Sequence, residues 1–178
     1  MAAAESPSRP SKLTGGCLCS SVRYEIDLSE GRNWPPAPNT CQCTQCRKWT
    51  GALVPSLLEL NPSQITWAKP TAPNPFREFN SSPGCYRGFC SNCGSSLTWR
   101  SEAEKDTIEL CTGSIDEELL IGHKTGNGVE RTGGWGKELG TPTRGNVWYQ
   151  NVIRGVTDGR ITAGKKMVEA SDFGETME

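Results

Sequence analysis

Seven of the nine cysteines fall in three tight clusters: Gly16-Cys17-Leu18-Cys19, Cys41-Gln42-Cys43-Thr44-Gln45-Cys46 and Phe89-Cys90-Ser91-Asn92-Cys93-Gly94. Tetrahedral zinc places thiolate sulfurs about 2.3 Å from the metal and therefore roughly 3.8 Å from one another. C-x-C on extended backbone presents both thiols on one face. C-x-x-C does so by turning, and a glycine after the second cysteine, as at Gly94, supplies the positive φ such a turn often needs. Small buried hydrophobes are the alternative use of cysteine, but three clusters in 178 residues exceed what packing accounts for.

Seven ligands do not divide by four. Pairing the two-cysteine clusters puts Cys17, Cys19, Cys90 and Cys93 on one closed, structural zinc. Cys41, Cys43 and Cys46 then hold a second zinc with its fourth position open, the arrangement of catalytic sites. Three thiolates leave Zn²⁺ with net charge −1 and weaken it as a source of hydroxide. A soft thiolate from outside still suits it as fourth ligand. That points to a thiol or thioether-bearing substrate and to chemistry at a carbon–sulfur bond. Cys85, near a Pro-Gly turn, could instead close the second site, and Cys111 reads as a small buried residue.

The elements that must position these clusters are short. Apolar residues come in brief runs broken by 20 Gly and 12 Pro, the texture of a mainly β domain of short antiparallel strands. Strands are expected around Val22–Ile26, Leu53–Leu60 (interrupted by Pro55), Ile65–Trp67, Phe76–Phe79, Tyr86–Phe89, Leu97–Trp99, Thr107–Thr112 and Val147–Ile153. Turns are expected over 33–39, 69–75 and 80–84, and no strong helical stripe stands out. The segment 122–145 has seven Gly between 126 and 145 and reads as a loop that covers a site or as an insertion. Residues 1–12 read as a disordered tail, 13–163 as a single zinc domain and 164–178 as a C-terminal tail.

Nineteen Lys and Arg against 20 Asp and Glu give a net charge of −1 with no basic stripe, which argues against nucleic acid as a partner. No apolar run is long enough for a membrane span. The first residues carry no apolar signal core, so a reducing, cytoplasmic setting is expected, where cysteines serve as thiolates rather than disulfides. The odd cysteine count agrees.

The order C-x-C, then C-x-C-x-x-C followed by Arg, then F-C-x-x-C-G resembles the glutathione-dependent formaldehyde-activating enzyme (CENP-V/GFA) family. The matching segments are Gly15–Tyr24, Cys41–Ala52, Tyr86–Leu97 and Gly113–Asp116. The resemblance implies a β-tent fold. It implies a structural zinc on Cys17, Cys19, Cys90 and Cys93, and a catalytic zinc on Cys41, Cys43 and Cys46, the split already reached by counting. It also implies carbon–sulfur lyase activity, with S-hydroxymethylglutathione as the namesake ligand. Gln42 stands where the family often has His, Ser20 where it often has Gly, and 122–145 looks inserted.

Arg47 and Lys48 could meet the carboxylates of a glutathione-like ligand, or offset thiolate charge, or face solvent. Trp49 could wall the pocket or join the core. His123, the sole histidine, is either an acid–base group on a mobile cover or an exposed loop residue. The partner expected is a small-molecule thiol or thiol adduct, and a homodimer is compatible with the sequence. Rival readings are a lyase or isomerase independent of glutathione, a non-catalytic zinc-stapled interaction module, and a methionine sulfoxide reductase-like enzyme using Cys111.

Overall fold

The structure is a computed structural model describing residues 9–29, 32–68, 73–126, 128, 130–160 and 163–168. The strands are β1 (Lys12–Gly16), β2 (Arg23–Asp27), β3 (Ala37–Cys41), β4 (Ser56–Leu60), β5 (Ile65–Trp67), β6 (Phe76–Ser82), β7 (Cys85–Cys90), β8 (Ser96–Ser101), β9 (Ile108–Cys111), β10 (His123–Lys124), β11 (Arg131–Thr132) and β12 (Gly145–Val147). Three short helices, α1 (Thr44–Thr50), α2 (Glu117–Ile121) and α3 (Gly136–Gly140), complete the set. The protein is mainly β, as the sequence predicts. One sheet runs β1-β2-β5 and a larger one runs β12-β3-β4-β9-β8-β7-β6. Every ladder is antiparallel except β12 beside β3.

Period-2 alternation decides what each face does. Leu58, Leu60, Ile108 and Leu110 point from the large sheet onto Leu13, Tyr24 and Ile26 of the small one, and this is the main core. Their strand neighbours Leu57 and Cys111 face the other way, into a second cluster with Cys41, Cys46 and Val147. β4 is a central strand covered on both sides, which is why two consecutive leucines, Leu57 and Leu58, are both fully buried. On that second face one cross-strand row reads Glu59–Glu109–Trp99–Arg87.

Several expectations need correction. The strand foreseen at Val147–Ile153 stops at Val147: Trp148 adopts left-handed φ 57 and the chain enters a 3₁₀ turn over Tyr149–Asn151. β4 begins at Ser56 rather than Leu53. β3 occupies part of the expected turn at 33–39, with Asn39 and Thr40 buried. Helix α1 was not visible as a stripe because only Cys46 of its seven residues is buried. The glycine-rich segment is no plain loop in its described parts. It carries the β10–β11 hairpin, and α3 drives Leu139 fully into the main core.

Ordered contacts also involve residues on either side of 13–163. Arg9 donates to the carbonyls of Leu28, Ser29 and Arg32. Met167 is 3% exposed and exchanges backbone hydrogen bonds with Asn146 and Tyr149. The remainder of the expected tails, 1–8 and 169–178, lies outside the described residues.

Candidate metal centres

β1 ends at Gly16 and leads directly into Cys17 and Cys19, while Cys90 ends β7 and Cys93 sits in the turn to β8. The first turn closes through Cys17 N–H to Val22 O at 3.0 Å and Ser20 N–H to Cys17 O at 2.9 Å. The second closes through Gly94 N–H to Cys90 O at 2.8 Å, with Gly94 at φ 75, the left-handed conformation foreseen for it. The four sulfurs lie within 4.8 Å of one another. Cys17 and Cys19 are 3.5 Å apart and Cys19 and Cys90 3.8 Å, the spacing of tetrahedral zinc–thiolate ligation. The Ser95 hydroxyl lies 3.2 Å from the Cys93 sulfur, and its hydrogen bond holds that thiol down near about 5. Burial lifts Cys90 to about 11. A divalent cation relieves that conflict by binding both as thiolates, so the donor set fits a closed zinc site.

The second cluster is assembled at the junction of β3 and α1. Cys41 is the last residue of β3, Cys43 caps the helix, and Cys46 lies one turn in. The Cys46 N–H donates to the Cys43 sulfur at 3.2 Å, so the helix cap and the candidate metal ligand are one atom. The helix ends at Gly51, φ 73, whose N–H returns to Arg47 O. The three sulfurs lie within 4.8 Å of one another, and no fourth His, Cys, Asp or Glu among the described residues joins them. Cys43 is pulled well below the usual thiol range by hydrogen bonds from Cys41 and Cys46, and Cys41 is pushed far above it by the same contacts and burial. Three crowded thiols cannot ionise together without a cation, and this donor set also fits zinc.

A cavity of about 510 Å³ opens over this triplet, a size suited to a small ligand. Its walls include Cys85, Trp99, Val147 and Trp148, and the charged groups Glu59, Arg87, Glu109 and Arg144. Cys85 thus lines the cavity without reaching the ligand cluster. Glu109 is 14% exposed, accepts from Asn39 Nδ2 at 2.8 Å, and is lifted by burial to about 7. Arg144 bridges Glu59 at 2.5 Å and Glu109 at 4.0 Å.

The flanking residues singled out in the sequence are placed differently. Arg47 turns away from the cavity: its guanidinium donates to Leu53 O, Gln42 Oε1 and Asn151 O. Gln42, fully buried, also accepts from Thr157 at 2.8 Å, so the residue that departs from the family pattern is a structural brace. Lys48 is exposed, and Trp49 packs beside the triplet without lining the cavity. His123 is exposed on the hairpin, 3.4 Å from Glu118, and does not line the cavity. Burial lifts the Cys111 thiol to about 12, which argues against a reactive, reductase-type role for it. The sequence reading missed Arg87, Glu109 and Glu59. Their only signal was a charged residue at the inward phase of an alternating strand.

Fold and site together define a zinc-capable β protein with one closed and one open thiolate centre. The profile of the glutathione-dependent formaldehyde-activating enzyme family matches residues 12–127, and the chain belongs to that family. No curated protein matches the chain. The crystal structure of a Rhodobacter sphaeroides protein is similar with a TM-score of 0.48 at 17% identity, covering 59% of this chain and 89% of that one. No helix among the described residues is long and apolar enough to cross a membrane.

Proposed function

We propose that this protein is a zinc-dependent carbon–sulfur lyase acting in the cytoplasm on a thiol adduct such as S-hydroxymethylglutathione. The observation that carries this reading is the contrast between the centres: four sulfurs enclose one, whereas three face a cavity of about 510 Å³ in the other. When bound at Cys41, Cys43 and Cys46, zinc would supply an open position for the sulfur of the adduct.

The residues around it have separable tasks. Trp99, Val147 and Trp148 exclude water from one side of the adduct. Glu109, lifted by burial to about 7, takes up a proton as carboxylate and gives it back as carboxyl in the pH range where the reaction would run. In cleavage the S–C bond breaks, its electrons stay on sulfur as thiolate, the C–O bond becomes the aldehyde C=O, and the hydroxyl proton passes to Glu109. Addition is the reverse.

Cys43→Ser tests the reading. The variant is expected to hold one zinc per chain instead of two and to lose at least roughly a hundredfold in turnover of S-hydroxymethylglutathione. Loss of one zinc with turnover intact rejects it. Running the same assay on thiol adducts lacking the glutathione peptide separates a glutathione-dependent enzyme from a broader lyase.

A further inference from the structure

Arg87 is a buried cation with no ion-paired carboxylate among the described residues. It is 5% exposed, in the middle of β7, and lines the cavity over the thiolate triplet. Arg23, Arg100, Arg131 and Arg144 each meet an Asp or Glu. Arg87 instead contacts the Ser81 hydroxyl through Nη1, the Cys46 sulfur through Nη2 at 3.6 Å, and the Trp49 face at 5.8 Å. Its Nε is buried with no hydrogen-bond partner among the described residues. A guanidinium in such a place is costly unless negative charge lies nearby, and the negative charge at hand is the sulfur cluster.

The charge balance says what that is for. A divalent cation with three thiolates sums to −1. A neutral fourth ligand leaves −1, but an incoming thiolate raises it to −2 beside the walls of Trp99, Val147 and Trp148. Arg87 returns the sum to −1. The sequence offered Arg47 and Lys48 for this task, yet the first donates to three protein acceptors away from the cavity and the second faces solvent.

We propose that Arg87 is the specificity-determining residue of the open centre, selecting an anionic sulfur ligand over a neutral one. The inference rests on the reading of that centre as a thiol site. It assigns Arg87 to positioning and charge balance, not to the reacting bond.

The test uses the full chain loaded with two cobalt(II) ions, with 2-mercaptoethanol, its S-methyl thioether and imidazole as probes, read by sulfur-to-cobalt charge-transfer absorption and ligand-field bands. The wild-type protein is expected to bind the thiol at least about tenfold more tightly than the thioether. Arg87→Met is expected to lose at least roughly thirtyfold in thiol affinity, the smallest loss expected when one partner of a desolvated charge pair is removed. Its imidazole affinity should stay within about twofold, and Arg87→Lys, which keeps the charge, should restore part of the thiol binding.

If Arg87→Met binds thiol like the wild type, or weakens thiol and imidazole equally with both ions present, the inference is overturned. Should Arg87→Met fail to load both ions, Arg87→Gln, which removes the charge and keeps a polar side chain, is judged by the same two criteria, and equal wild-type affinity for thiol and thioether also overturns the inference. A wild-type protein that binds no thiol at the second ion sinks the thiol-site reading itself, a separate outcome.

Discussion

Arg47 and Arg87 both lie close to the three sulfurs of the open centre and do different things. Arg47 ties α1 to the loop at Leu53, to Gln42 and to Asn151. Arg47→Ala is expected to cost about 2 kcal/mol, the scale of hydrogen bonds from a charged donor, with zinc content unchanged; urea unfolding and elemental analysis check both halves. Glu109 carries a different consequence. Burial lifts it from 4.5 to about 7, against the pull of Asn39 and Arg144 and with help from Glu59 and Glu104. The folded protein therefore holds this proton more tightly than the unfolded chain. The stability it contributes is complete below pH about 4.5 and is lost as pH rises through about 7, a loss of at most ~3 kcal/mol at 1.36 kcal/mol per pH unit. Glu109→Gln is expected to unfold at higher urea than the wild type at pH 8, and the advantage should vanish near pH 4.5. An advantage independent of pH would show that Glu109 is not the titrating group.

At the scale of elements, two strand phases divide the labour. The even phase of β4 and β9 builds the core with Leu58 and Leu110, and the odd phase builds the cavity floor with Glu59 and Glu109. β7 belongs to both centres, since it carries Arg87 at its middle and Cys90 at its end. Between them Gly88 lets the strands close in: an added Cβ would overlap the Thr98 hydroxyl and the Phe76 ring. Gly88→Ala is expected to destabilise by about 1–3 kcal/mol, the range for overpacking, and to lower the melting temperature with zinc still bound. Of these elements the sequence shows strands β2, β4, β5, β6, β7, β8 and β9, with period-2 alternation clear in β2 and β9. It does not show α1, because a seven-residue helix with one buried side chain has no stripe. Nor does it show β3, whose Asn39 and Thr40 are buried for polar reasons: Asn39 donates to Glu109 and Thr40 to Asn146.

Across the whole molecule the closed centre joins the β1–β2 turn to the β7–β8 turn, one from each sheet. The open centre joins β3 to α1, segments already adjacent in the chain. Metal removal should therefore proceed in two stages. A chelator is expected to take one zinc quickly, with activity lost and far-ultraviolet circular dichroism retained. The second zinc should leave slowly and together with cooperative unfolding, since ligation across sheets is part of the folding free energy. Release of both ions in one phase would contradict this division.

What the sequence determined by itself was the inventory of candidate metal ligands and their division into four and three. Ligand spacing is local, and C-x-C and C-x-x-C bring thiols together through backbone geometry within a few residues. Which charged groups look at the open centre was decided only by the tertiary structure. Glu59, Arg87 and Glu109 come from three strands and meet because the sheet's register sets them in one row with Trp99. Register is a property of pairing between strands, and Arg47, closer in sequence to the ligands than any of them, is turned away by the helix that carries it.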